Sequence, residues 1–308
     1  MAEGKAAPKI SVGPQGDAGW ACDAVRAGGG EVVNASEAQG LVWTDFDTTD
    51  QLVETLARNP GIAWVQVPFS GVETYLPYVD ATRTWTSAKG VFGGAVAELA
   101  VALLLGGMRH VAGYAREQQW SEDHGRTLFG ARVTILGAGG IAQALISILQ
   151  PFKCRITVVR NRQGDLHGVD KVVTTPELNT ALSQADAVVM AVALTSQTHG
   201  IMGKRQFEAM QSHAWLVNVG RGKQIVTDDL VWALKTGEIG GAALDVTDPE
   251  PLPVGHPLWS MPNCIITPHV GNTAEMVPPL LALRIAENVR RFAAGEQLLG
   301  VIDQTVGY

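Results

Sequence analysis

Three short segments in the second half of the chain carry residue types that together could grip an acid and move a proton. They are "NVGRG" with Arg221, "DPEPLP" with Glu250 and "TPH" with His269. A guanidinium is a planar, permanently charged fork that can hold a carboxylate through two hydrogen bonds and polarise a neighbouring carbonyl. Histidine titrates near neutral pH, so it can give a proton to the alkoxide that develops as a hydride reaches a keto carbon. A carboxylate on its other ring nitrogen would fix the tautomer and stabilise the charged ring. Singly, each residue has a duller reading: a turn arginine, an acid beside a proline, a histidine ending a strand. Their order and setting decide.

The setting is a glycine turn upstream. In "VTILGAGGIAQAL", residues 133–145, Gly137, Gly139 and Ala142 occupy the small positions of G-x-G-x-x-G/A. An apolar strand precedes the turn, a helix over about 140–149 opens with Gly140 and Ile141, and a second strand follows at 156–159. Gly137 permits the tight turn, Gly139 lets backbone approach a pyrophosphate, and Ala142 keeps the helix close to the strand. The pyrophosphate would rest on the helix N-terminus, whose unpaired N–H groups favour negative charge. The second strand ends in "VVRNR", where an acid would bind the adenosine ribose hydroxyls. Arg160 and Arg162, flanking Asn161, attract a 2′-phosphate that an acid would repel, so NADP(H) is favoured over NAD(H).

The elements that must position these groups follow from the chain's composition and pattern. The 308 residues, 46% hydrophobic and 17% charged, are enough for two domains with buried cores. A net charge of −7, without long runs of like charge, argues against a nucleic-acid partner. Cys22, Cys154 and Cys264 form no CxxC pair, which fits a reducing cytoplasm and no metal site. The start "MAEGKAAPK" has no apolar signal core, and "AVAELAVALLLGGM" is too short to span a bilayer, so no membrane association is expected. Short apolar strands alternate with helices over the first 93 residues, a long helix, apolar nearly all round, is expected over about 94–118, and strands recur from 131 to about 270. Consecutive apolar positions in several of those strands indicate a parallel sheet covered on both faces. Leu281, Ile285, Val289 and Phe292 share one stripe of a last helix, expected over 273–294.

On these motifs the chain resembles the D-isomer-specific 2-hydroxyacid dehydrogenase family from about residue 60 to 295. The stretch "AVALTSQTHGIMGKRQFEAMQSHAWLVNVGRG" looks like the family segment that ends in its catalytic arginine, here Arg221. Glu250 matches the family's acid and His269 its acid/base histidine; one departure is Ala193, where the family has proline. The resemblance implies an α/β fold of two Rossmann-like doubly wound parallel-sheet domains with an active-site cleft between them. The substrate domain would be 1–93 with 274–308, and the dinucleotide-binding domain 94–273. It further implies that Thr198 and Val219 contact the cofactor, that Asp245 lies near the nicotinamide carboxamide, and that Ser70, Gly71 and Val72 receive the substrate carboxylate. In "LVWTDF", Trp43 and Asp45 stand where the family's phosphoglycerate enzymes place a basic residue, which points to short unphosphorylated substrates. The implied activity is D-specific, NADPH-dependent reduction of a small 2-keto acid of the glyoxylate/hydroxypyruvate type by a cytoplasmic homodimer. The alternatives are a phosphoglycerate dehydrogenase-like enzyme using NAD and a dinucleotide-sensing corepressor.

Overall fold

The computed structural model describes residues 6–14, 18–45 and 47–303. The chain divides into two compact units, drawn from Met1–Phe92 with Thr273–Tyr308 and from Gly93–Asn272. Each is built on a parallel sheet.

In the first unit the elements run β1 (Lys9–Gly13), α1 (Gly19–Ala27), β2 (Glu31–Val32), β3 (Gly40–Trp43), α2 (Thr49–Arg58), β4 (Trp64–Gln66) and β5 (Thr84–Thr86). The strands lie in the order β2-β1-β3-β4-β5, every neighbour parallel. Helix α2 buries Leu52 and Leu56, one turn apart, and leaves its acidic and polar side chains outward. The C-terminal helix Val277–Ala294 returns to this unit and buries Leu281, Ile285 and Val289 completely, as their four-residue spacing predicts. It packs on the end of α1 so closely that a Cβ at Gly28 would stand 2.4 Å from the Ala286 carbonyl oxygen. Buried Asn288 fastens the helix by donating to Gln66 Oε1 and to the Leu299 carbonyl, both at 3.0 Å.

Trp43 corrects an expectation. It does not stand on a loop facing substrate: it ends β3 at 2% exposure and belongs to the apolar core formed with Leu41, Leu52, Val65, Tyr75 and Trp85. Gly13 on the adjacent strand makes room for it, since a Cβ there would meet its ring at 2.6 Å. Burying so large an aromatic surface outweighs displaying it.

The second unit contains α3 (Gly93–Met108), α4 (Val111–Tyr114), β6 (Arg132–Leu136), α5 (Gly140–Leu149), β7 (Arg155–Val159), β8 (Lys171–Val173) and α6 (Leu178–Leu182). It continues with β9 (Ala187–Met190), α7 (Lys204–Ala209), β10 (Trp215–Asn218), α8 (Thr227–Thr236), β11 (Gly241–Leu244) and β12 (Cys264–Ile266). Its strand order is β12-β11-β10-β9-β6-β7-β8, again all parallel. The order therefore reverses between β6 and β9. All four residues of β9 and of β11 are buried, which explains their unbroken apolar runs.

The helix expected over 94–118 stops at Met108. His110 adopts φ 54°, a left-handed conformation that cannot continue a right-handed helix, and only the single turn α4 follows. Gly107 near the helix end lets the Trp215 ring pack against it, with a virtual Cβ only 2.1 Å from that ring. Beyond Tyr114 the chain is exposed as far as Thr127. Among the described residues no helix is long and apolar enough to cross a membrane.

At the amino-terminal edge of this sheet, Asp186 staples three strands. It accepts from Arg132 N, Nε and Nη2 at 2.8, 3.1 and 2.8 Å and pairs with His213 Nε2 at 2.9 Å. Hydrogen bonds from the Arg132 guanidinium hold the Asp186 carboxyl well below the usual carboxylate range.

Candidate active site

Because every strand of the second sheet is parallel, the segments that follow them leave from one edge. Gly137 follows β6, Arg160 follows β7, the loop to Thr198 follows β9, Val219 and Arg221 follow β10, Asp245 and Glu250 follow β11, and His269 follows β12. In open α/β sheets this carboxyl edge, at the reversal of strand order, is where ligands bind.

At that reversal sits the glycine turn. Gly137 has φ 108°, and a Cβ on it would lie 2.5 Å from the Ala191 carbonyl oxygen, so only glycine fits. Gly139 is the exposed N-cap of α5, has no side-chain cap, and faces open space where a Cβ would meet nothing. The first amides of the ten-residue helix thus have no side-chain acceptor at the N-cap. Gly140 is exposed and Ile141 half-buried, while Ala142 is fully buried. Gly93 allows α3 to press on Gly140, where a Cβ would stand 2.9 Å from the carbonyl carbon. An uncapped helix start behind a left-handed glycine fits a pyrophosphate.

At the end of β7 the two arginines differ. Arg160 is half-buried and bends along its own loop, Nη2 donating to the Gly164 carbonyl at 2.8 Å, while its Nε is buried with no hydrogen-bond partner. Arg162 is exposed. Asn161 is already engaged, donating to Gln197 Oε1 at 3.3 Å and accepting from Thr175 Oγ1 at 3.0 Å. The buried Nε–H of Arg160 is thus a donor that the loop itself does not satisfy.

The three chemical residues lie on linked turns. His269 Nδ1 stands 2.6 Å from Glu250 Oε1. A carboxylate accepts, so Nδ1 carries the hydrogen and Nε2 is left to exchange a proton elsewhere. Glu250 Oε2 in turn accepts from Thr247 N at 3.3 Å. Arg221 is half-buried, its Nη1 donating to the Gly220 carbonyl at 2.9 Å. The turn that carries it touches the loop that carries Glu250, because a Cβ at Gly222 would fall 1.8 Å from the Thr247 carbonyl oxygen. Any side chain at that position would push the two loops apart.

Asp245 is tied into the site by its side chain. Its carboxylate is 3% exposed and accepts from Thr267 Oγ1, Val270 N and Gly271 N at 2.6, 2.8 and 2.9 Å. It is committed to the turn that bears His269, whose backbone is held at φ 53°. Thr198, likewise, is 6% exposed and spends its hydroxyl on its own loop, donating to the Ala193 carbonyl at 2.7 Å and accepting from Thr195 N at 2.8 Å. Val219 is buried at 6% exposure. In the first unit, Ser70 donates to the Ala88 carbonyl at 2.8 Å, Gly71 is half-buried, and the Val72 side chain lies in that unit's core.

Two residues escaped sequence reasoning. Asn218 and Gln224 are both fully buried and hold the backbone of the Arg221 turn, Asn218 Nδ2 donating to the Arg221 carbonyl at 3.0 Å. The signal for Asn218 was present, an amide closing an otherwise apolar strand; for Gln224 there was none.

This arrangement, a Rossmann strand order with a histidine–carboxylate pair and an arginine turn at its carboxyl edge, defines an oxidoreductase. Residues 101–271 match the D-isomer specific 2-hydroxyacid dehydrogenase, NAD binding domain, and the chain belongs to that family. It is 36% identical over 214 residues to the human glyoxylate reductase/hydroxypyruvate reductase, a match spanning 66% of this chain and 64% of that enzyme. It is 31% identical over 275 residues to glyoxylate/hydroxypyruvate reductase A of Photorhabdus laumondii, spanning 83% and 84%. A D-isomer specific 2-hydroxyacid dehydrogenase from Xanthobacter autotrophicus, solved with NADPH and MES, superposes with a TM-score of 0.83 at 26% identity over 98% of this chain and 100% of that one.

Proposed function

We propose that this chain reduces a small, unphosphorylated 2-keto acid of the glyoxylate or hydroxypyruvate type to the D-2-hydroxy acid, preferring NADPH to NADH. The observation that carries the reading is the His269–Glu250 pair at 2.6 Å, on the same sheet edge as the Arg221 turn. Gly137, Gly139, Gly140 and Ile141 would hold the pyrophosphate, with Asp245 near the nicotinamide carboxamide and Val219 and Thr198 as further cofactor contacts. When bound, the reduced nicotinamide supplies the hydride. Arg221 would bind the substrate carboxylate and polarise the carbonyl. His269 Nε2 would deliver the proton to the alkoxide, and Glu250 would stabilise the ring as its charge changes.

The orphaned Nε of Arg160 favours a 2′-phosphate, with Arg162 as a second, solvated cation. The NADPH in the Xanthobacter structure agrees with this. Asp45, close behind β3, disfavours a phosphorylated substrate. A homodimer in the cytoplasm completes the proposal. The test is steady-state kinetics with glyoxylate, hydroxypyruvate and 3-phosphohydroxypyruvate, each with NADPH and NADH. His269→Asn should lower kcat by roughly 10²-fold or more with little change in cofactor affinity. Near wild-type turnover in that variant would remove His269 from the reaction.

A further inference from the structure

Gln224 is a fully buried primary amide with both ends engaged by backbone. Its Oε1 accepts from Arg221 N at 3.0 Å, and its Nε2 donates to the Val192 carbonyl at 2.8 Å. Val192 lies two residues past β9, on the loop at the strand reversal. The side chain therefore spans two loops, the one that carries Arg221 and the one that starts toward Thr198. Its neighbour Ile225 belongs to the apolar core, where a buried amide is costly unless both its dipoles are met. Here both are.

The fit around it is close. A Cβ on Gly220 would lie 2.5 Å from Gln224 Oε1, so glycine at that position is what lets the amide reach the Arg221 N–H. The backbone of Gln224 adds to the brace, its N–H donating to the Arg221 carbonyl at 3.2 Å and its carbonyl accepting from Met202 N at 3.0 Å. Asn218 closes the other side, accepting from Gly220 N at 2.9 Å. The Arg221 backbone is thereby fixed on both faces before its side chain leaves the turn.

We propose that Gln224 is a positioning residue for the Arg221 guanidinium, and that it sets the affinity for the carboxylate of the 2-keto acid. The proposal rests on the reading of Arg221 as the carboxylate anchor. Gln224 touches no reacting atom; it determines where the arginine's Cα sits relative to the loop after β9. Without the amide, the turn loses its bond to Val192 and the fork loses its fixed origin, so the substrate carboxylate is met by a cation that must first be ordered.

The experiment is a double-mutant cycle read in KM for glyoxylate at saturating NADPH. KM does not depend on the fraction of protein folded, so a residue that only stabilises the fold would leave it unchanged. Gln224→Met, of similar length and without hydrogen-bonding groups, removes both side-chain bonds and should raise KM by roughly five- to tenfold, about what one ordinary hydrogen bond contributes to binding. In an Arg221→Ala background, which has no cation to position, the same change should raise it by less than about twofold. If Gln224→Met does not yield folded protein, Gln224→Asn, too short to span both partners, takes its place. Equal KM effects in the two backgrounds, or an unchanged KM in the single variant, overturn the proposal. An unchanged KM for Arg221→Ala alone would instead overturn the reading of Arg221 as anchor.

Discussion

Asp245 offers the sharpest test of how the site is held. Replacing it by asparagine keeps the Oδ1 acceptor for Thr267 and Val270 but turns an NH2 group toward the Gly271 N–H, which lies 2.9 Å from Oδ2. One charge-assisted bond is lost and two donors face each other, at a cost of about 1.5–3 kcal/mol. Alanine leaves the Val270 and Gly271 amides without the acceptor, and the Thr267 hydroxyl alone can turn elsewhere, so the cost rises to about 3–6 kcal/mol. For a unit of this size each kcal/mol lowers Tm by roughly 2–4 °C, so Asp245→Asn should lower it by roughly 3–12 °C. Catalysis should fall as well, because His269 sits at φ 53°, a conformation its surroundings must impose. Once the turn relaxes, the ring loses its alignment with Glu250, and kcat should drop by roughly 10- to 100-fold. Thermal unfolding and glyoxylate reduction, measured on both variants, check this. An Asp245→Ala protein with Tm within about 1 °C of wild type and kcat within about twofold would refute the clamp.

Two further outcomes follow from the ends of the sheet. Arg160→Asp should invert the preference between NADPH and NADH and do so more completely than Arg160→Ala, since it adds a repulsion to a lost attraction. The wild-type preference, about two decades in kcat/KM, should shrink with added salt; equal efficiency with both cofactors at low salt would reduce Arg160 to a loop residue. At the other edge, Asp186→Asn should cost about 1–2 kcal/mol at neutral pH, the partly exposed Arg132 being screened by water. Arg132 depresses the Asp186 carboxyl, so its stabilisation is complete above the ordinary value of 3.8 and is lost as pH falls below it. The Tm gap between variant and wild type should therefore close on acidification, and a gap that stays constant down to pH 2 would show that charge is not its source.

By itself the sequence determined most of the elements and marked the segments that leave the carboxyl edge of the second sheet. The alternation of apolar runs and glycine turns marks out the parallel strands, because a strand covered on both faces must be apolar throughout. The spacing of Leu281, Ile285 and Val289 marked the last helix, and Gly137 and Gly139 marked the turn that leads into α5. Arg221 and His269 stood out three residues past apolar strands, and Glu250 six residues past one, as residues that core packing does not require. Tertiary structure alone decided where side chains of ambiguous character went. Trp43 could have stood on a loop, but a neighbouring glycine opened the core to it. Asp245 accepts three hydrogen bonds from a turn some 25 residues later in the chain, a partnership no local pattern encodes. His110 ends α3 by backbone conformation, which no hydrophobic period encodes. Gln224 carries no motif at all. Its role exists only because two strands that are neighbours in the sheet, β9 and β10, bring Val192 and Arg221 to either end of one amide.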